Sequence, residues 1–153
     1  MRLGGTVHVD TDQLAANKAV VGKLVDAWNV RDVSQMMRYW SPDMVHHGRD
    51  GAMPASEVGG EMQRFIAAFP DIHIHVEEMI AERDLVSTRL TVSATHSGPY
   101  LNIEPTGRSV RCALMGQLRI VGGKVVEHWG VADTVHLLEQ LGLIDGELLE
   151  ATA

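Results

Sequence analysis

Cysteine is nearly absent: Cys112 is the one thiol in 153 residues, so neither an intrachain disulfide nor a thiolate metal cluster is available. It stands in an apolar run, away from any catalytic-cysteine signature, and reads as a buried, inert thiol. Positive charge is scarce and scattered, with 13 Lys and Arg against 20 Asp and Glu and a formal net charge of -7. Phosphate binding takes a concentrated basic face, which excludes nucleic acid as a partner. Long hydrophobic runs are missing too, since no window approaches the roughly 20 apolar residues that cross a bilayer. The start, MRLGGTVHVDTD, has neither the apolar core nor the small-residue cleavage signal of a secretory segment. These absences predict a cytoplasmic protein with no membrane contact. A phosphate-cradling glycine loop, a dinucleotide fingerprint and a Ser-His-Asp signature are equally lacking.

What is present suits an ordinary folded domain. The chain is 45% hydrophobic and 22% charged, and at this length folding buries roughly 68–70% of the unfolded surface, enough for a core without staples. One domain over residues 1–153 is expected, with a loosely held tail at 145–153. From Asp12 to Arg31, Val21, Leu24, Val25 and Trp28 recur at helical spacing. Asp32 can cap a short second helix that Ser41-Pro42 ends. Met44 to His47 reads as a short strand and Arg49-Asp50-Gly51 as a turn. A third helix opens at Ser56-Glu57 and stops at Pro70, its first turn frayed by Gly59 and Gly60. The period then falls from 3.6 to 2 in strands starting at Ile72, Leu85, Ser109 and Lys124, the last two joined by a Gly122-Gly123 hairpin. A final helix over 134–141 ends at Gly142. Helices first and an antiparallel meander afterwards predict an α+β fold in which a curved sheet encloses a conical cavity.

Several positions can carry chemistry there. On the strand after Ser109, the even residues from Val110 to Ile120 form an unbroken apolar face, which suits either a core or a hydrophobic pocket. On the last strand, Glu127, Trp129, Val131 and Asp133 share parity with Val125 if no bulge intervenes. Asp133 then has two readings. Beside Trp129 it would be desolvated, its pKa raised toward the range of a proton-exchanging acid; alternatively it caps the final helix. His73, His75 and Glu77 share a strand face, as in two-His metal sites, and also as on any exposed strand, with no third ligand at a diagnostic spacing. His46 and His47 point to opposite sides of a strand, so at most one reaches the cavity. His96 and His128 are single candidates.

The stretches 69–110 and 119–142 resemble the SnoaL-like polyketide cyclases. The resemblance rests on Phe69-Pro70-Asp71, Thr95-His96-Ser97-Gly98, Pro105-Thr106-Gly107-Arg108, and Glu127-His128-Trp129 with Asp133 and Gln140-Leu141-Gly142. It covers residues 19–143 and implies the NTF2-like cone: a curved antiparallel sheet wrapped around a long N-terminal helix, with two further helices. In the family's cyclases the aspartate matching Asp133 is the acid/base of a cofactor-free aldol closure of an anthracycline ring. Their pocket Gln and His, however, match Leu114 and Gly116 here, so donors for an enolate oxygen are missing. Relatives with this fold are implicated in hydroxylating aromatic polyketides without flavin or metal.

The resemblance therefore implies an enzyme that tailors a polycyclic aromatic polyketide, ring hydroxylation being placed ahead of ring closure. A non-catalytic binder or dimerisation module is the competing class. Asp133 would exchange the proton, while Trp129, Leu114 and Gly116 would hold the flat rings. Arg89, Arg111 or Arg119 would face a substrate oxyanion, and His47, Phe65 and Met36 would complete the lining, beside Met37, Met62 and Phe69. No cofactor or metal is expected. Partners would be a separate reductase, should the substrate arrive as a quinone, and further copies of the chain in a homodimer or larger assembly.

Overall fold

The computed structural model describes residues 10–48 and 51–144. The expectations for the N-terminal segment, the Arg49-Asp50 turn and the tail from Asp145 lie outside these residues.

Asp10 accepts a hydrogen bond from the Gln13 amide and opens helix α1, Thr11–Asn29, which buries Val21, Leu24 and Val25 along the expected stripe. Asp32 does the same for Gln35 and opens α2, Val33–Arg38. Strand β1 follows at Trp40–Gly48 and pairs with β2, Gly51–Pro54. Pro42 therefore sits inside a strand instead of ending a helix. Pairing is irregular between Trp40 and Val45, so the missing amide costs no ladder bond there. Helix α3, Ala55–Ala68, runs unbroken through Gly59 and Gly60, anchored by buried Val58 and Met62 on either side. Strands β3 (His73–Glu82), β4 (Leu85–Thr95), β5 (Ser109–Val121) and β6 (Lys124–Ala132) form the meander, and α4, Thr134–Leu141, ends at left-handed Gly142. Gly122 and Gly123 both take positive φ, 57° and 75°, as a two-residue hairpin turn requires. Among the described residues α2, α3 and α4 accompany α1, α2 being the short helix that the Asp32 cap predicts.

The six strands lie in the order β2-β1-β6-β5-β4-β3. All neighbours are antiparallel except β1 and β6, which run parallel. Helix α1 packs across the concave face, and its C-terminal Asn29 clasps β3: the side-chain amide donates to Ile74 O at 2.9 Å and Oδ1 accepts from Ile74 N at 2.7 Å. One irregularity decides what the concave face carries. Ile120 pairs with Val125 and Arg119 with Glu127, leaving Val126 as the extra residue of a bulge. Val125 faces inward and is fully buried; beyond the bulge the inward positions are His128, Gly130 and Ala132. Glu127, Trp129 and Val131 face out.

Candidate active-site cavity

The concave side of the sheet, α1 and α3 enclose a cavity of about 920 Å³. Its apolar wall comes from Leu24, Val25 and Trp28 of α1, Met62 and Phe65 of α3, and Leu90, Leu114 and Leu118 of the sheet. The even face of β5 thus serves both purposes: Val110 and Ile120 are core, while Cys112, Leu114 and Gly116 line the hollow. Around the mouth stand Glu61 and Arg64 of α3, the Pro99–Asn102 loop, and Ala132, Thr134 and Leu137. Phe65 joins this rim to the core through Phe69 and Tyr100, with ring centroids 4.8 and 5.6 Å away.

Polar groups gather at the other end. His46 and His128 line the cavity with their Nδ1 atoms 3.0 Å apart, and the Trp40 ring lies 6.4 Å from that of His128. The Trp40 indole N–H is buried with no hydrogen-bond partner among the described residues. Burial holds both imidazoles toward the neutral form, with a smaller push from the neighbouring histidine: the His46 pKa is lowered, and that of His128 falls to about 4. Sequence reasoning singled out His128 only as a lone candidate and missed the pairing, which joins residues 82 apart across parallel strands.

Of the residues expected at the site, Leu114, Gly116 and Phe65 line the cavity. Trp129 does not: the bulge turns it to the outer face, where it stacks on His47 at 4.7 Å with planes 6° apart. His47 is outside as well, because alternation sends His46 in. The three arginines all lie on outward positions of the sheet. Arg119 donates to Asp84 at 2.8 and 2.9 Å and to Glu127 at 2.7 Å, its guanidinium 6.0 Å from the Trp129 ring centroid. These bonds raise its pKa, Asp84 foremost, while the bond from Arg119 leads in lowering that of Glu127. Arg89 faces Glu78 at 3.7 Å, and Arg111 is exposed. Met36 is fully buried in the core instead of the cavity wall. Of its companions, Met62 reaches the wall, Phe69 is buried in the core, and Met37 packs against the separate core cluster that holds Met36 and Met62.

Asp133 caps α4, its Oδ1 accepting from the His136 amide at 3.1 Å, and it is exposed. Asp133 is not packed beside Trp129 as expected: it is exposed, and the Trp129 ring stacks on His47 instead. Asp133 itself is not among the residues that line the cavity, although its chain neighbours Ala132 and Thr134 are. Its charge is felt at the wall: the Cys112 thiol pKa is raised by burial and, second, by Asp133. His73 and His75 are exposed on the outer face of β3, and no group of three or more metal-ligating side chains is assembled among the described residues. His96 is fully buried as a clasp, its Nδ1 3.1 Å from Thr106 Oγ1 and accepting from the Thr106 amide at 3.2 Å.

A curved sheet closed by helices around one apolar hollow, with its polar groups confined to the two ends, defines a small-molecule enzyme of the NTF2-like cone. Residues 18–141 match the SnoaL-like polyketide cyclase family, and the chain belongs to that family. It is 40% identical to AclR, a proposed hydroxylase from Streptomyces galilaeus, with a TM-score of 0.82 over 92% of this chain and 95% of that one. It is 29% identical to IdmH, a proposed polyketide cyclase from Streptomyces antibioticus, with a TM-score of 0.74 over 82% and 98% of the two chains. TsrD from Streptomyces laurentii, 22% identical, shares the fold with a TM-score of 0.77 over 85% and 97%. The comparison with curated proteins finds no match.

Proposed function

We propose that the protein hydroxylates a polycyclic aromatic polyketide of the anthracycline type, using O2 and no bound cofactor. The observation that carries this reading is the wall of the cavity: large, apolar, and occupied at the two expected donor positions by Leu114 and Gly116. Ring closure by an aldol step builds charge on an enolate oxygen and needs donors aimed at it. Hydroxylation can draw its electrons from the substrate itself, as an ionised phenol or hydroquinone, leaving the protein to orient the rings and move protons. The 40% identity to AclR favours the same choice. In this reading Asp133 exchanges a proton with the part of the substrate that reaches the mouth, and a separate reductase supplies electrons when the substrate arrives as a quinone. The protein works in the cytoplasm as a homodimer or larger homo-oligomer.

The test is incubation with anthracycline-type intermediates under oxygen-18 gas, followed by mass analysis. Incorporated label is the expected result; an altered ring system without label means ring closure, and no turnover means a binding protein. Asp133→Asn separates the two roles of that residue, because asparagine caps a helix as well as aspartate does. Activity should fall at least about 100-fold, the usual worth of a positioned acid or base, with thermal stability unchanged. Full activity removes Asp133 from the chemistry.

A further inference from the structure

His46 and His128 are register partners on the parallel strands β1 and β6, with ring centroids 4.9 Å apart, planes inclined by 40° and Nδ1 atoms at 3.0 Å. A hydrogen bond between two Nδ1 atoms needs a proton on one and a lone pair on the other. Two neutral rings joined this way are therefore in opposite tautomers, one with a bare Nε2 and the other with an Nε2–H. His47, the titratable neighbour acting on His46, points to the other face of the sheet. From β4, the Thr88 hydroxyl facing this end is occupied by Gly116 O at 3.3 Å.

The two Nε2 atoms have different surroundings. That of His128 lies 3.7 and 3.6 Å from where Cβ atoms on Gly116 and Gly130 would stand, and these glycines face one another across β5 and β6. With no side chain on either, the nitrogen is open to the cavity that Gly116 lines. The Nε2 of His46 lies beside Gly48, 3.2 Å from the position of its absent Cβ, at the end of β1 where the strand pairs with exposed Gly51. The pair thus reaches from the cavity wall to the β1–β2 edge. Asp133 is five residues further along from His128, on the order of 16 Å of extended strand, so no single substrate oxygen touches both.

We propose that His46 and His128 form a proton relay between a ligand hydroxyl in the cavity and solvent at the β1–β2 edge, resting on the reading that the cavity takes a hydroxylated polycyclic aromatic. The ligand O–H bond breaks as its proton goes to His128 Nε2. The His128 Nδ1 proton passes to His46 Nδ1, and the His46 Nε2 proton leaves to water. The ligand becomes a phenolate, one proton enters solvent, the two rings exchange tautomers, and neither ring carries two protons once the transfer is complete. The reverse sequence reprotonates the oxygen. Burial serves this arrangement: a group that stores a proton needs a raised pKa, whereas a relay works best when both rings stay uncharged.

Alizarin, a dihydroxyanthraquinone whose phenol and phenolate differ in colour, is the probe. Bound to the full chain and jumped in pH by stopped flow, it should change colour at least tenfold more slowly in His46→Asn than in wild type, with Kd altered less than threefold. Gly130→Ala keeps both imidazoles but sets a methyl against His128 Nε2, and should slow the change too. An unaltered rate in both variants overturns the relay. Absence of alizarin binding to the wild type strikes instead at the ligand class beneath it. Nitrogen-15 spectra of the histidine rings then decide the relay without any ligand. Opposite neutral tautomers near pH 7 are expected; two identical tautomers, or a charged ring, overturn it.

Discussion

At the scale of single residues, His128 makes stability depend on pH. In the unfolded chain it protonates as pH falls through about 6.5, whereas burial in the folded protein delays this to about 4. Between those values the unfolded chain binds the extra proton, so this contribution is complete above pH 6.5 and drains away toward pH 4. The span is on the order of 3 kcal/mol at 1.36 kcal/mol per pKa unit, and the lowered pKa of His46 acts with the same sign. Urea unfolding at pH 7 and pH 4.5 should show a smaller loss in His128→Asn than in wild type; equal losses would mean the ring is not desolvated. Part of this site was legible in the sequence. Alternation alone divides His46 from His47, and the capping role of Asp133 follows from its place before Thr134. The fate of Trp129 was not legible, because one bulge residue, with no marker such as proline or glycine at Val126, reverses the parity on which its placement depended.

At the scale of elements, β5, the glycine hairpin, β6 and α4 have the limits read from periodicity, since each is bounded by a strong local signal. The strand β2 and the parallel pairing of β1 with β6 were missed. The pairing with β6 joins residues some 80 apart, for which no local pattern exists, and β2 is only four residues long, paired beside β1 without an apolar alternation of its own. The words that carry the family resemblance turn out to be largely clasps. Asp71 accepts from the Thr95 amide at 2.6 Å; His96 and Gly107 exchange main-chain bonds with their partners; Gln140 bonds the Arg111 backbone at both N and O. Gly98 is the tightest of them. Its amide donates to Ala68 O at 3.0 Å, and a Cβ there would come within 2.3 Å of Ala67 O. Backbone cannot step aside as a flexible side chain can, so Gly98→Ala should cost about 1–3 kcal/mol and loosen the join between α3 and the loop at the cavity mouth. A thermal midpoint equal to that of wild type would contradict the close approach.

At the scale of the whole molecule, the outer face of the sheet bears on assembly. Met115 and Val131 are register partners there, 56% and 73% exposed, beside the Trp129 and His47 stack. If this face meets a second copy, as the proposed homo-oligomer requires, Val131→Lys buries a charge at the contact and should shift sedimentation toward the monomer while leaving the fold intact. A wild type that sediments as a monomer at micromolar concentration removes the proposal. The same sheet also shows how little separates its two sides. Excising Val126 would leave Glu127 opposite Arg119 and every face as it stands, whereas drawing Val126 into the ladder opposite Arg119 would turn the remainder of β6 over, bringing an indole and a carboxylate into the hollow and expelling an imidazole. A slip of one position, with no change of sequence, would thus rewrite the reactive inventory of the interior more thoroughly than any exchange of one amino acid for another, and the one unpaired residue that holds the slip off is what keeps the imidazole inside.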